Sequence, residues 1–121
     1  MNVIAWSTNL TEAKAVEHGA RLVPKHQLFR ESDVVTVHLV FTERTRKIIG
    51  AEELGLMKPI AWLVNTSRGP LVDEQALVAA LKNKAIAGAA LDVFDTEPLP
   101  ADHPFRTLPN VIATPHIGFV I

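Results

Sequence analysis

The sequence predicts an α/β fold in which parallel strands form a sheet and helices cover it. Short apolar segments rich in Val and Ile alternate along the chain with segments of helical character, and this alternation is typical of strands joined by crossover helices. Several apolar segments lack a polar residue at every second position, so both faces of the sheet are expected to be covered. The predicted strands are residues 2–6, 21–23, 33–39, 60–65, 86–92 and 111–114.

Capping residues mark the helices that connect these strands. Thr11 can cap one helix at its N-terminus and Gly19 ends it, while Asp73 can cap another helix whose last turn carries lysines. The predicted helices are residues 11–18, 51–57 and 73–84. Residues 92–110 include four prolines, which exclude a single regular element, and this segment is predicted to be a long ordered loop.

The composition excludes several classes of function. The chain has 121 residues, a net charge of -1 from 12 Lys+Arg against 13 Asp+Glu, and no cysteine. The balanced charge predicts no nucleic-acid or membrane partner, and no apolar run approaches the roughly 20 residues that cross a bilayer. Disulfides, thiolate nucleophiles and cysteine-ligated metals are excluded, and no metal site is predicted. The size suits one domain or a piece of a larger one, and a cytoplasmic location is expected.

Polar side chains follow three predicted strands, at the edge where parallel sheets bind ligands. Arg68 follows the strand at 60–65. A guanidinium can bind a carboxylate bidentately, although a surface Arg that pairs with a nearby acid is an equal alternative. His116 follows the last strand and Glu97 lies in the loop after the fifth. Taken one by one, such His and Glu residues are more often structural or solvated than catalytic.

Together these three side chains describe an acid/base site. A carboxylate favours the protonated imidazole, so Glu97 can assist His116 in giving a proton to a forming hydroxyl or in removing it. Arg68 can orient a 2-oxo acid through its carboxylate and carbonyl. The hydride has to come from a bound nicotinamide, because no side chain donates one. The combination predicts a redox reaction of a 2-oxo or 2-hydroxy acid.

Three motifs, in matching order, resemble the D-isomer-specific 2-hydroxyacid dehydrogenases, which include phosphoglycerate, glycerate, lactate and formate dehydrogenases. They are residues 65–74 (NTSRGPLVDE), 89–94 (AALDVF) with Glu97-Pro98, and 114–118 (TPHIG). The resemblance covers practically the whole chain and implies an incomplete doubly wound (Rossmann-like) parallel sheet. It makes Arg68 the substrate-binding catalytic residue, His116 the acid/base and Glu97 its partner. It also implies cofactor-binding residues, namely Ser7, Leu39, Thr66, Asp92 and Gly118.

The cofactor that the resemblance implies is NAD or NADP. NAD-using members of the family usually carry an acid that binds the ribose hydroxyls at the end of the second Rossmann strand, whereas Ser7 stands there in this sequence. The loss of that acid leaves NADP open. A second departure is Val40, which stands where the family often has proline and is expected to alter loop rigidity more than chemistry.

Against the family pattern, residues 1–121 are expected to be a partial NAD(P)-binding domain without the first strand, the Gly-rich loop and the substrate domain. In a doubly wound sheet the first strand lies between the second and the fourth. Two arrangements are therefore open. Either the strand at 2–6 pairs directly with the strand at 33–39, or the domain is incomplete and exposes apolar edges that invite association.

Two alternatives to an enzyme follow from the same resemblance. The family also includes transcriptional corepressors that sense dinucleotide while they bind protein partners, and a non-functional fragment is the third possibility. The complete triad of Arg68, Glu97 and His116 favours an enzyme whose partner is a small 2-oxo or 2-hydroxy acid. The resemblance also suggests a homodimer.

Overall fold

The computed structural model describes residues 1–117 and confirms the six predicted strands. Each observed strand lies inside its apolar segment and is shorter, because the ends of these segments bend into the turns that follow. The strands are β1 (Ile4–Ala5), β2 (Arg21–Leu22), β3 (Val34–Val37), β4 (Trp62–Asn65), β5 (Gly88–Leu91) and β6 (Val111–Ala113).

Four strands form one parallel sheet in the order β3-β4-β5-β6. Its register pairs Val35 with Leu63 and Leu63 with Ala89, so apolar side chains of neighbouring strands lie side by side. β1 pairs in parallel with β2 in a separate two-stranded sheet. Parallel ladders with helices between successive strands give the predicted α/β class in the form of a partial Rossmann-like fold.

Four helices connect the strands of the described residues: α1 (Glu12–Glu17), α2 (Lys25–Glu31), α3 (Ala51–Leu56) and α4 (Glu74–Lys82). Both predicted caps are present, since Thr11 accepts a hydrogen bond from the N–H of Lys14 and Asp73 accepts one from the N–H of Ala76. The loop between β5 and β6 contains a short 3-10 helix, Pro104–Arg106. Within residues 1–117 no helix is long and apolar enough to span a membrane.

The sequence analysis did not predict α2. Its N-cap is Pro24, which offers no side-chain acceptor, so the usual sign of a helix start is missing. Its apolar residues Leu28 and Phe29 are adjacent, not spaced three or four positions apart. Phe29 is 4% exposed and belongs to the main core. Burial of this side chain, and not an N-terminal side-chain cap, stabilises the helix.

The main core is centred on the middle strands of the larger sheet. Leu63 of β4 and Ala89 of β5 are fully buried, and Leu54 of α3 and Leu77 of α4 belong to the same cluster. A Cβ atom at Gly88 would lie 2.5 Å from the indole of Trp62. Glycine is therefore required at the start of β5 for the indole to lie across the strand.

β1 and β3 do not pair with each other, and in the described part of the chain each is the edge strand of its own sheet. A cavity of about 350 Å³ lies between them, and its lining includes Ile4 of β1 and Val35 of β3. Direct pairing of these two strands, the first of the two arrangements that the sequence left open, is not observed in the described residues. Exposed apolar residues accompany both edges: Val3 beside β1 is 43% exposed and Val34 of β3 is 58% exposed.

Candidate active site

The polar residues predicted for the site follow the carboxyl ends of three parallel strands. Thr66 and Arg68 follow β4, Asp92 directly follows β5, and His116 comes shortly after β6. Because these strands are neighbours and run in the same direction, the three segments lie at one edge of the sheet. This is the edge at which open parallel sheets bind their ligands.

His116 and Glu97 are in direct contact, as the sequence analysis predicted. Nδ1 of His116 lies 2.6 Å from Oε1 of Glu97, and the two side chains are 27% and 32% exposed. The second carboxylate oxygen, Oε2, accepts a hydrogen bond from the N–H of Phe94 at 3.4 Å. Two donors therefore orient the carboxylate, and the carboxylate in turn orients the imidazole.

The backbone of His116 is in the left-handed region, with φ of 60°. A non-glycine residue in this region is strained by on the order of 1–3 kcal/mol, so neighbouring contacts have to hold it there. Asp92, which is 5% exposed, supplies two of them: its Oδ1 accepts from the hydroxyl of Thr114 and, at 2.9 Å, from the N–H of Ile117. Asp92 was predicted to contact the cofactor, and in the structure it fastens the segment that carries His116.

Arg68 stands exposed in a turn that a buried asparagine organises. Asn65, 1% exposed, donates from its amide to the carbonyl of Arg68 at 3.0 Å and accepts from the N–H of Ser67 at 3.1 Å. The guanidinium donates to the carbonyl of Ser67 at 2.7 Å. Among residues 1–117 Arg68 forms no ion pair with an acid, so the alternative of a paired surface arginine is not what the described structure shows.

The Arg68 turn and the Glu97 loop meet at Gly69. A Cβ atom at this position would lie 2.2 Å from the carbonyl carbon of Phe94 and 2.6 Å from the backbone nitrogen of Asp95. Only glycine allows the two main chains to approach so closely. Sequence reasoning did not single out Asn65 or Gly69; an amide at a strand end and a glycine in the following turn were the available signals.

A cavity of about 540 Å³ adjoins the acid/base pair. Glu97 lies in its wall together with Phe94, Leu99, Arg106, Thr114 and Pro115. The volume is within the range of small-molecule sites, and the wall combines apolar side chains with a few polar groups. Neither Arg68 nor His116 belongs to its lining.

The residues predicted for the adenosine side of the cofactor are separate from this cavity. Ser7, which follows β1, and Leu39, which follows β3, both line the cavity between the two sheets. The lining of this cavity is mostly apolar, and no acid of the described residues belongs to it. Thr66 is exposed at the end of β4. Gly118 lies outside the described residues.

The fold and this edge define a class of protein: a Rossmann-like nucleotide-binding domain that carries a histidine–carboxylate pair and a guanidinium at the carboxyl ends of its strands. The sequence profile of the D-isomer specific 2-hydroxyacid dehydrogenase NAD binding domain matches residues 1–118. The chain belongs to this family of NAD-binding oxidoreductases, which confirms the family, the fold and the NAD cofactor predicted from the sequence.

Individual relatives agree with this assignment. Glyoxylate/hydroxypyruvate reductase B of Enterobacter agglomerans is 59% identical over 91 residues, which are 75% of this chain and 28% of that protein. The structure of a glyoxylate reductase from Paecilomyes thermophila has a TM-score of 0.90 at 38% identity and covers 100% of this chain and 36% of that chain. The structure of the NAD complexed D-isomer specific 2-hydroxyacid dehydrogenase of Lactobacillus delbrueckii ssp. bulgaricus has a TM-score of 0.86 at 32% identity. The match covers 99% of this chain and 40% of that chain. This chain thus spans between 28% and 40% of their lengths.

Proposed function

We propose that this chain supplies the acid/base pair and part of the cofactor site of an enzyme that interconverts 2-oxo acids and D-2-hydroxy acids. The observation that carries the proposal is the contact of 2.6 Å between Nδ1 of His116 and Oε1 of Glu97. Such a pair can exchange a proton with a substrate oxygen and stabilise the charge that the exchange leaves on the ring. In this proposal residues 1–121 are a partial NAD(P)-binding domain, and the substrate domain is not among them.

His116 moves the proton in the proposed reaction. Because Nδ1 faces Glu97, Nε2 is the nitrogen that we assign to the substrate. In the reductive direction Nε2 gives its proton to the carbonyl oxygen while the carbonyl carbon receives a hydride, and the product is a 2-hydroxy acid. In the oxidative direction Nε2 removes the hydroxyl proton. A bound nicotinamide supplies or accepts the hydride.

Arg68 binds the substrate in this proposal. Its exposed guanidinium can take the carboxylate through two parallel hydrogen bonds, and it can polarise the neighbouring carbonyl oxygen as negative charge develops there. The buried amide of Asn65 fixes the main chain at Arg68, so the guanidinium extends from a defined position. The remaining predicted residues, Ser7, Leu39, Thr66, Asp92 and Gly118, are assigned to the cofactor, with Asp92 acting through the His116 segment as well.

The names of the relatives suggest the substrate class. Glyoxylate and hydroxypyruvate appear in the name of the Enterobacter agglomerans protein, and both are small 2-oxo acids. We therefore assign a small 2-oxo acid as the substrate. In this proposal the cofactor is NAD or NADP and the location is the cytoplasm. The partner is a second copy of the chain, and no nucleic acid is involved.

Cofactor binding and turnover test the proposal separately. Binding of NADH or NADPH to the chain can be followed by the fluorescence of Trp6 and Trp62, and turnover by loss of NADH absorbance with glyoxylate. We expect binding by the chain. We also expect turnover by a chimera that joins the chain to the remaining part of the Paecilomyes thermophila glyoxylate reductase. Binding without turnover in the chimera would favour the dinucleotide-sensing alternative, and the absence of both would favour the non-functional fragment.

A further inference from the structure

A second histidine–carboxylate pair involves the same loop as Glu97, the loop between β5 and β6. Nε2 of His103, in the loop between β5 and β6, is 2.6 Å from Oε1 of Glu74, the first residue of α4. The two side chains are 16% and 20% exposed, which makes this pair more buried than the pair of His116 and Glu97. The mechanism proposed above does not use it.

Glu74 also holds the main chain next to Glu97. Its Oε2 accepts a hydrogen bond from the N–H of Asp95 at 3.1 Å. The preceding N–H, that of Phe94, donates to Glu97. Two consecutive amides of the loop are therefore bound to two different carboxylates, one that reaches in from α4 and one that contacts His116.

Gly69 confines the same peptide group sterically. The peptide that joins Phe94 and Asp95 passes so close to Gly69 that a Cβ atom there would overlap it. Glu74 fixes the N–H of this peptide while the Gly69 main chain limits its displacement. These contacts hold the peptide that directly follows the Phe94 N–H, the donor to Glu97.

His103 links Glu74 to Phe105 of the core, and its two hydrogen bonds define the tautomer of its ring. Its Nδ1 accepts a hydrogen bond from the N–H of Phe105 at 3.1 Å, so Nδ1 carries no proton and Nε2 donates to Glu74. Phe105 is 3% exposed, and its ring centroid is 4.6 Å from that of His103. The imidazole is thus fixed on both sides, and Glu74 receives a donor that the core holds in place.

The geometry points to Glu74 and His103 as positioning residues that hold Glu97 on Nδ1 of His116. Neither touches the reacting atoms. Glu74 fastens the peptide at Phe94 and Asp95, and His103 fastens Glu74. The importance of this arrangement for catalysis rests on the proposed function, whereas the arrangement itself can be measured in the chain without cofactor or substrate.

The tautomers of the histidine rings provide the measurement. Long-range proton–nitrogen correlation spectra, recorded above the pH at which imidazoles titrate, identify the protonated nitrogen of each ring. In the unaltered chain we expect the proton of His103 on Nε2 and that of His116 on Nδ1. An isolated imidazole prefers Nε2, so loss of the Glu97 contact should move the proton of His116 to Nε2, and Glu97→Ala serves as the reference for this change.

His103→Asn separates the positioning role from simple stability. Asn is a good N-cap residue and can still accept from the N–H of Phe105, but it is too short to reach Glu74. We expect a folded protein in which His116 adopts the Nε2 tautomer of the Glu97→Ala reference. The amide of Asp95 should exchange about tenfold faster, as expected when one hydrogen bond is weakened. The matched control is His26→Asn, which removes the exposed pair of His26 and Glu52, 3.1 Å apart, and should leave His116 unchanged.

Glu74→Gln provides a second variant that does not depend on the folding of the first. The two oxygens of Glu74 accept from the N–H of Asp95 and from Nε2 of His103, whereas glutamine has only one acceptor oxygen and cannot accept from both. We therefore expect the proton of His116 to move to Nε2 in this variant as well. If His116 keeps its Nδ1 proton in either folded variant, or lacks it in the unaltered chain, the positioning role is overturned. A chimera without turnover whose histidines show the expected tautomers would contradict the proposed function alone.

Discussion

His103 and His116 present opposite ring nitrogens to their carboxylate partners: His103 contacts Glu74 through Nε2, and His116 contacts Glu97 through Nδ1. Nδ1 of His103 is also engaged, by the N–H of Phe105. Both nitrogens of His103 thus have protein partners, Glu74 of α4 and Phe105 of the same loop, which suits a structural role. The two histidines therefore differ in the ring nitrogen that contacts a carboxylate, and in the proposed function His116 moves the proton.

Replacement of Glu97 by Gln tests the charge of the pair. Glutamine nearly keeps the shape but removes the charge that favours the protonated imidazole, and reduction of an oxo acid needs that proton. We expect Glu97→Gln to lower the kcat of the chimera for reduction of glyoxylate, while the Kd of NADH stays nearly constant. Glu52→Gln, which alters the exposed pair with His26, is the control. An unchanged kcat for Glu97→Gln would exclude the proposed pairing.

Removal of the imidazole should have a different signature. His116→Ala should lower turnover of the chimera at every pH by something like 10²–10⁴-fold, the usual effect of losing a general acid. Affinity for NADH should remain nearly the same, because the side chain acts on the substrate oxygen. Steady-state kinetics over the pH range, together with a fluorescence titration of NADH, check both statements. Turnover within a few-fold of the unaltered enzyme would remove His116 from the mechanism.

Arg68 is expected to act on the oxo acid and not on the cofactor. Arg68→Ala should raise the KM for glyoxylate and lower kcat while the Kd of NADH stays nearly constant. Arg68→Lys should recover little of the loss, because an ammonium cannot make two parallel hydrogen bonds to a carboxylate. Arg44→Ala, which alters another exposed arginine, is the matched control. Unchanged kinetics for Arg68→Ala would place the substrate elsewhere.

Ser7 should govern the choice between NAD and NADP. A serine cannot repel a 2′-phosphate, so we expect weak discrimination against NADPH by the chain, and Ser7→Asp should shift the preference toward NADH. Titrations of both cofactors with the chain give the ratio of the two Kd values, and Thr8→Asp controls for an added charge at a neighbouring exposed position. A strong NADH preference in the unaltered chain would show that another residue makes the choice.

Asp95 should make stability depend on pH. Asp95 is an exposed residue whose carboxyl is partly desolvated; this desolvation first, and then the negative charge of Glu74, raise the pKa of Asp95 above its ordinary value. The folded state therefore favours the protonated form; this contribution is fully present below the unfolded pKa and is lost as pH rises through the folded pKa. Asp95→Asn should raise the Tm at neutral pH and change it little in acid. Thermal unfolding at both pH values is the measurement, and a lower Tm at neutral pH would contradict the expectation.

The sequence predicted what depends on local pattern. Contiguous Val and Ile marked the strands, and Thr11 and Asp73 marked two helix starts, because these signals act within a few residues. α2 was missed because burial of Phe29 stabilises it, and burial depends on the rest of the fold. The contact between Glu97 and His116 was predicted from their chemistry and from the family resemblance. The contact between Glu74 and His103 was not predicted. Glu74 is an acid at the start of a helix, and only the folded loop brings His103 next to it.

In the proposed function, the division between the two sheets gives the cofactor an additional role. Within residues 1–117 no ladder joins β1 to β3, so the unit of α1, β1 and β2 can open without breaking a hydrogen-bonded sheet. Ser7 belongs to this unit and Leu39 to the larger sheet, and both line the cavity between them. A dinucleotide that touches both would act as a non-covalent cross-link. Part of its binding free energy would then go into ordering the smaller unit, and amides of β1 and β2 should gain protection from exchange when NADH binds.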